Sequence, residues 1–122
     1  MDTPNRILIV NNDKDMADVL EMIFIHQCYD VDICNSWRDI DYFFYSKKPD
    51  LAIIGSLEQN LNVAQIIDEI REDKQIKYLP LIFLSGQADD QLSVDSSNEC
   101  SVDPLNFYQL SSRVKSILEV LA

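Results

Sequence analysis

The sequence predicts a doubly wound α/β domain of the (βα)5 class, with a five-stranded parallel sheet and helices on both faces. Three observations predict it. The runs ILIV (7–10), LAII (51–54) and LIFL (81–84) are continuous, apolar and strand-length, as parallel strands buried on both faces require. Between them, apolar residues recur at helical spacing. No segment repeats, and 122 residues fit one domain spanning 1–122.

In chain order, ILIV is the first strand, and the polar NND that follows leads into a helix. Met16, Val19, Leu20, Ile23 and Phe24 form its inward stripe. YDVDIC (29–34) alternates, with Val31 and Ile33 on one face, and predicts a strand nearer the sheet edge. Ser36 caps a second helix, with Asp39 beside its exposed amides and Trp37, Ile40, Phe43 and Phe44 facing inward, and Lys47, Lys48 and Pro49 end it. LAII is the third strand, and Val63, Ile66, Ile67 and Ile70 stripe the third helix, closing at REDK. Pro80 starts LIFL, the fourth strand. Residues 86–99 offer only Leu92 and Val94 as strong apolar anchors, so any helix there is short. After CSVDP, the residues Phe107, Leu110, Val114, Ile117, Leu118 and Leu121 stripe a strong final helix.

The formal charge of -11, with 47% hydrophobic and 9% aromatic residues, describes a folded domain with an acidic, solvated surface. No Lys/Arg cluster stands out along the chain, so nucleic acid is not expected as a partner. Cys28, Cys34 and Cys100 lack metal or disulfide spacing and read as reduced, mostly buried thiols. The apolar run near the start is too short for a signal peptide or a membrane span, so a cytoplasmic protein without membrane contact is expected. A DNA-binding or catalytic output domain is not expected within these 122 residues, which are expected to work alone or as one piece of a longer protein.

In doubly wound sheets the working crevice lies at the carboxyl ends of the strands. Those ends carry Asn11, Asn12 and Asp13 after the first strand, Gly55 and Ser56 after the third, Ser85 after the fourth, and Asp103 with Pro104 after the fifth. ILIVNND, PDLAIIGSLEQNLNVAQIIDEIRED, YLPLIFLSG and SVDPLNFYQLSSRV, taken in that order, resemble the receiver domain of two-component response regulators over nearly the full length. The resemblance implies a flavodoxin-like receiver fold. It also implies a fourth helix shortened by about four residues, roughly one turn. The face built by that helix, the fifth strand and the last helix, which receivers use for signalling and dimerisation, should therefore make contacts unlike the usual ones.

Carried over position by position, the resemblance implies a degenerate phosphorylation pocket. Asn11 and Asn12 stand where two metal-holding acids are usual, Gly55 where the phosphoacceptor aspartate is usual, and Asp103 where a lysine is usual. Ser85 and Pro104 keep the family's types, and Cys100 replaces an aromatic switch residue. Glycine offers no nucleophilic atom, and two neutral amides are poor ligands for Mg²⁺. Neither a catalytic residue, a metal nor a cofactor is therefore expected. Asp103 is expected to accept from Asn11, Asn12 or Ser85 in a metal-free hydrogen-bonded lock.

The reading that follows is a pseudo-receiver, not an enzyme, that meets a kinase, regulator or output protein without using the phosphorelay as its switch, with a homodimer also open. The alternatives are residual Mg-dependent phosphotransfer through a displaced carboxylate such as Asp13, and a small-molecule sensor using the crevice above Gly55. Plainer roles compete residue by residue. Asp13 caps a helix, and Glu58 is a solvated loop acid. Asp50 occupies a turn at the far end of the sheet, and Ser56 has no flanking kinase signal. Ser85 satisfies backbone, and His26 is a surface residue at a helix end. Trp37, Tyr42 and Tyr45 serve either as a partner surface or as packing.

Overall fold

A computed structural model describes residues 5–55, 62–84, 99–102 and 106–121. Strands β1 (Arg6–Val10), β2 (Asp30–Cys34), β3 (Leu51–Ile54), β4 (Leu81–Leu84) and β5 (Glu99–Val102) form one sheet in the order β2-β1-β3-β4-β5. Every adjacent pair is parallel. The strand order reverses between β1 and β3, which makes their carboxyl ends the topological switch point where such sheets place their sites. β2 lies at the edge, as its alternating pattern predicts.

Alternation along each strand builds two cores. Ile7, Ile9, Leu51, Ile53, Ile82 and Val102 face α1 (Lys14–His26) and the last helix, α4 (Phe107–Leu121). Leu8, Val10, Ala52, Ile54, Leu81 and Phe83 face the other way, against the 37–47 segment and Ile66 and Ile70 of α3 (Val63–Glu72). Burying each such side chain stabilises the fold by about 1.5–3 kcal/mol relative to exposure.

The expected inward stripe of α1 needs one correction. Leu20 and Phe24 are fully buried together with Ala17, whereas Val19 is 41% exposed beside Met22 and Ile25. The buried arc centres on the 17/20/24 row, and Val19 falls one helical step outside it. The helix ends in a Schellman motif: the Cys28 N–H donates to Ile25 O at 2.9 Å and the Tyr29 N–H to Phe24 O at 3.1 Å, with the Phe24 and Tyr29 rings in contact. Cys28 takes the left-handed position at φ 71° and is exposed. This corrects the expectation of mostly buried thiols, which holds for Cys34. The side chain of Cys100 lies outside the described residues.

The second helix is not regular. A 3₁₀ turn over Trp37–Asp39, capped by Ser36 Oγ, passes through one α-turn at Ile40–Tyr42 (α2) into a π-turn over Phe43–Lys47. Its sequence is dense in aromatics and aspartates, which are indifferent helix formers, so packing sets the winding. Ile40 and Phe44 are buried, Trp37 meets Phe44 edge-on, and Lys48 stops the segment in a left-handed conformation at φ 51°. Of the segment 86–99 in which a short helix is expected, 86–98 lie outside the described residues and Glu99 opens β5.

Candidate functional site

At the carboxyl end of β1, Asn11 is the one buried polar side chain among the described residues, 2% exposed. Its backbone continues the sheet: the Asn11 N–H donates to Cys34 O at 3.0 Å, and Asn35 Nδ2 donates to Asn11 O at 3.1 Å. Its side-chain Oδ1 accepts from the Asp13 N–H at 2.9 Å, an Asx turn that fixes the orientation of the carboxamide. With the oxygen committed to Asp13, the Nδ2 group points across to β3. There it lies over Gly55, well inside van der Waals contact of the place a Cβ would take, with Asn11 Cγ at 3.1 Å and Leu84 Cδ1 at 3.5 Å from that place.

Gly55 has no positive φ, so no backbone conformation demands a glycine here. The requirement is space. Its N–H donates to Val10 O at 2.8 Å, holding the two strand ends together beneath the amide. Among the described residues, Asn11 Nδ2 has no hydrogen-bond acceptor. A buried NH₂ left unpaired costs about 1–3 kcal/mol, so the arrangement calls for an acceptor supplied from the same end of the sheet.

Asp13 is the N-cap of α1, its Oδ1 accepting from the Asp15 N–H at 3.0 Å and the Met16 N–H at 3.2 Å. Asn12 is exposed. The structure thus brings Asn11, Asp13 and Gly55 together. Ser56, Glu58, Ser85, Asp103 and Pro104 lie outside the described residues. Val102 pairs with Leu84, whose side chain lies beside Gly55.

The donors that the described residues bring here do not fit Mg²⁺. A hard cation is held by oxygen ligands that usually include carboxylates. Here the Asn11 oxygen is committed to Asp13 N–H, its nitrogen faces the crevice, and the carboxylate among the described residues of these two loops, Asp13, caps a helix.

Several other residues occupy their expected positions. Asp50 stands at the opposite end of β3, exchanging backbone and side-chain hydrogen bonds with Arg6. His26 is exposed in the last turn of α1, with Nδ1 3.0 Å from Met22 O. Tyr42 is exposed, Trp37 packs, and Tyr45 donates to Asp73 across to the turn after α3. That bond, helped by burial and the Asp73 charge, pushes the Tyr45 phenol up to about 12. The Tyr45 hydroxyl in turn draws the Asp73 carboxyl below its ordinary value.

Sequence reading along the chain missed a cluster that only folding assembles. Lys48 and the turn carrying Lys74 and Lys77 meet around one cleft at the amino ends of β3 and β4.

No protein-family model matches the chain. Solved structures do match in fold. The response regulator TrrA of Thermotoga maritima, in complex with Mg²⁺ and BeF, superposes with a TM-score of 0.77 at 24% identity, covering 93% of this chain and 98% of its own. A two-component response regulator from Clostridium difficile gives 0.79 at 22%, covering 94% and 96%. The receiver domain of a response regulator from Bermanella marisrubri gives 0.80 at 19%, covering 94% and 98%. The chain has the receiver fold. Among its described residues, no helix is long and apolar enough to cross a membrane.

Proposed function

We propose that the protein is a receiver-fold signalling module that has given up aspartyl phosphorylation and acts through contacts with other proteins. One observation carries this reading: the Asn11 carboxamide occupies the space that a side chain at position 55 would need. A phosphoacceptor requires a carboxylate at the crevice floor, open to an incoming phosphoryl group. Here the floor is a glycine and a buried amide lies on it.

The orphaned Asn11 Nδ2 supports the lock, in which Asp103 supplies the acceptor. An aspartate in place of a lysine is coherent with an amide in place of an acid, because a lysine facing amides would lack a carboxylate partner whereas an aspartate accepts from their N–H groups. The two rivals have less support. Asp13 is engaged at the α1 cap, and the space above Gly55 is taken by Asn11 rather than left open to a small molecule.

The test is incubation with Mg²⁺ and acetyl phosphate, followed by intact mass. The expected result is an unchanged mass. A phosphate adduct, mapped by peptide analysis, would show a displaced acceptor and end this reading.

A further inference from the structure

At the far end of the sheet from Asn11 and Gly55, a cleft of about 530 Å³ opens between the end of the 37–47 segment and the turn that joins α3 to β4. Its floor is apolar: Phe44 and Leu79 are 4% and 8% exposed, and Ile76 packs beside them. Its rim carries Lys48 and Tyr78, the latter 73% exposed with Lys77 Nζ 5.1 Å from its ring centroid.

The walls are held in place. Arg71 Nη1 donates to Lys77 O at 2.8 Å and Leu79 O at 2.9 Å, pinning the turn at both ends of Tyr78. Asp73 Oδ1 accepts from the Gln75 N–H at 2.8 Å, and Tyr45 ties Asp73 to the facing wall. A preformed cleft spares a ligand the entropy of ordering it.

The charge here runs against the rest of the molecule. In a chain of formal charge -11, Lys48 lines the cleft, and Lys74 and Lys77 are exposed in the turn that forms one wall of it. The ion pairs seen between described residues involve none of these lysines, and Lys77 rests beside the Tyr78 ring. The acid lining the cleft, Asp50, accepts from the Arg6 N–H.

We propose that this cleft docks an acidic peptide segment of a partner protein, an aromatic or branched side chain entering between Tyr78 and Pro49 over the Phe44–Leu79 floor while flanking carboxylates pair with Lys48 and Lys77. An apolar hollow with a few placed charges matches how peptide anchors are held. A nucleic acid needs a continuous basic track along its phosphates, and the surrounding acidic surface opposes one. The inference stands independently of whether phosphotransfer is lost, since it uses the opposite end of the sheet.

The experiment titrates the ¹⁵N-labelled protein with the peptide acetyl-EEFEE-amide and follows backbone amides. Saturable shifts are expected at Lys48, Ile76, Tyr78 and Leu79, with none from acetyl-KKFKK-amide. Lys77→Glu, in an exposed turn, is expected to weaken binding about threefold or more with an unchanged melting temperature, and Lys48→Glu with Lys77→Glu about tenfold or more. Absence of shifts at these amides up to millimolar peptide overturns the proposal. So does binding indifferent to charge reversal, or an oligothymidylate that moves the same amides at lower concentration.

Discussion

The carboxamide of Asn11 occupies the place that a Cβ on Gly55 would take, oriented by the hydrogen bond from the Asp13 N–H to its oxygen. The two residues are 44 positions apart yet form one steric unit, because β1 and β3 are paired in register up to Val10 and Ile54. Each side chain choice therefore constrains the other.

Gly55→Ala should destabilise by about 1–3 kcal/mol, because the new methyl must displace a short side chain whose oxygen is already committed. Asn11→Ala alone exchanges a lost hydrogen bond against removal of an orphaned NH₂, a change of order 1 kcal/mol in either direction. The double variant should recover about 1 kcal/mol or more relative to the sum, measured by urea unfolding. Additivity within about 0.5 kcal/mol would mean that Asn11 does not occupy this space in solution.

Asp103→Ala should lower stability by about 1–3 kcal/mol if Asp103 accepts from the buried Asn11 amide, since the donor is then left without a partner. Asp103→Asn keeps an acceptor oxygen and should recover most of the loss. Thermal melting of both variants decides the matter. An unchanged melting temperature in Asp103→Ala removes the lock and leaves the orphaned amide to be satisfied by another group.

Asp13→Ala should cost about 1 kcal/mol, the usual loss on removing an N-cap oxygen, while Asp13→Asn should be nearly neutral because the amide oxygen caps as well. Neither should alter the mass after treatment with acetyl phosphate. Were Asp13 a displaced phosphoacceptor, the wild type would gain phosphate and Asp13→Asn would not.

The strands were legible because burial on both faces leaves no room for polar residues, so ILIV, LAII and LIFL announce themselves. The helices at 14–26, 63–72 and 107–121 were legible by their spacing. Val19 was misread because periodicity gives the apolar arc but not its edges. The π-turn at 43–47 was invisible because its aromatics satisfy a regular helical stripe equally well. At the site, residue types and the resemblance they carry put Gly55 where a phosphoacceptor is usual. They gave no sign that Asn11 fills the space, which follows from the Asx turn and the β1–β3 register. Lys48 and Lys77 could not be joined by reading along the chain, since a strand and a helix separate them.

Tyr45 and Asp73 predict a particular pH profile. The Tyr45 phenol is raised from 10.0 to about 12, so the stability it contributes is fully present below pH 10.0 and is lost as pH rises through its folded value. The Asp73 carboxyl is lowered from 3.8, so its contribution is present above that value and is lost as pH falls through the depressed one. Their bond therefore contributes at full strength between the two ordinary values. Tyr45→Phe should lower the urea midpoint by a constant amount across that window. The gap should narrow in acid below pH 3.8 and in alkali above pH 10.0. Asp73→Asn should produce the same alkaline convergence with the acid limb abolished, because an amide accepts from the phenol at any pH. A Tyr45→Phe gap that stays constant into strong alkali would show that the hydroxyl bonds water rather than Asp73.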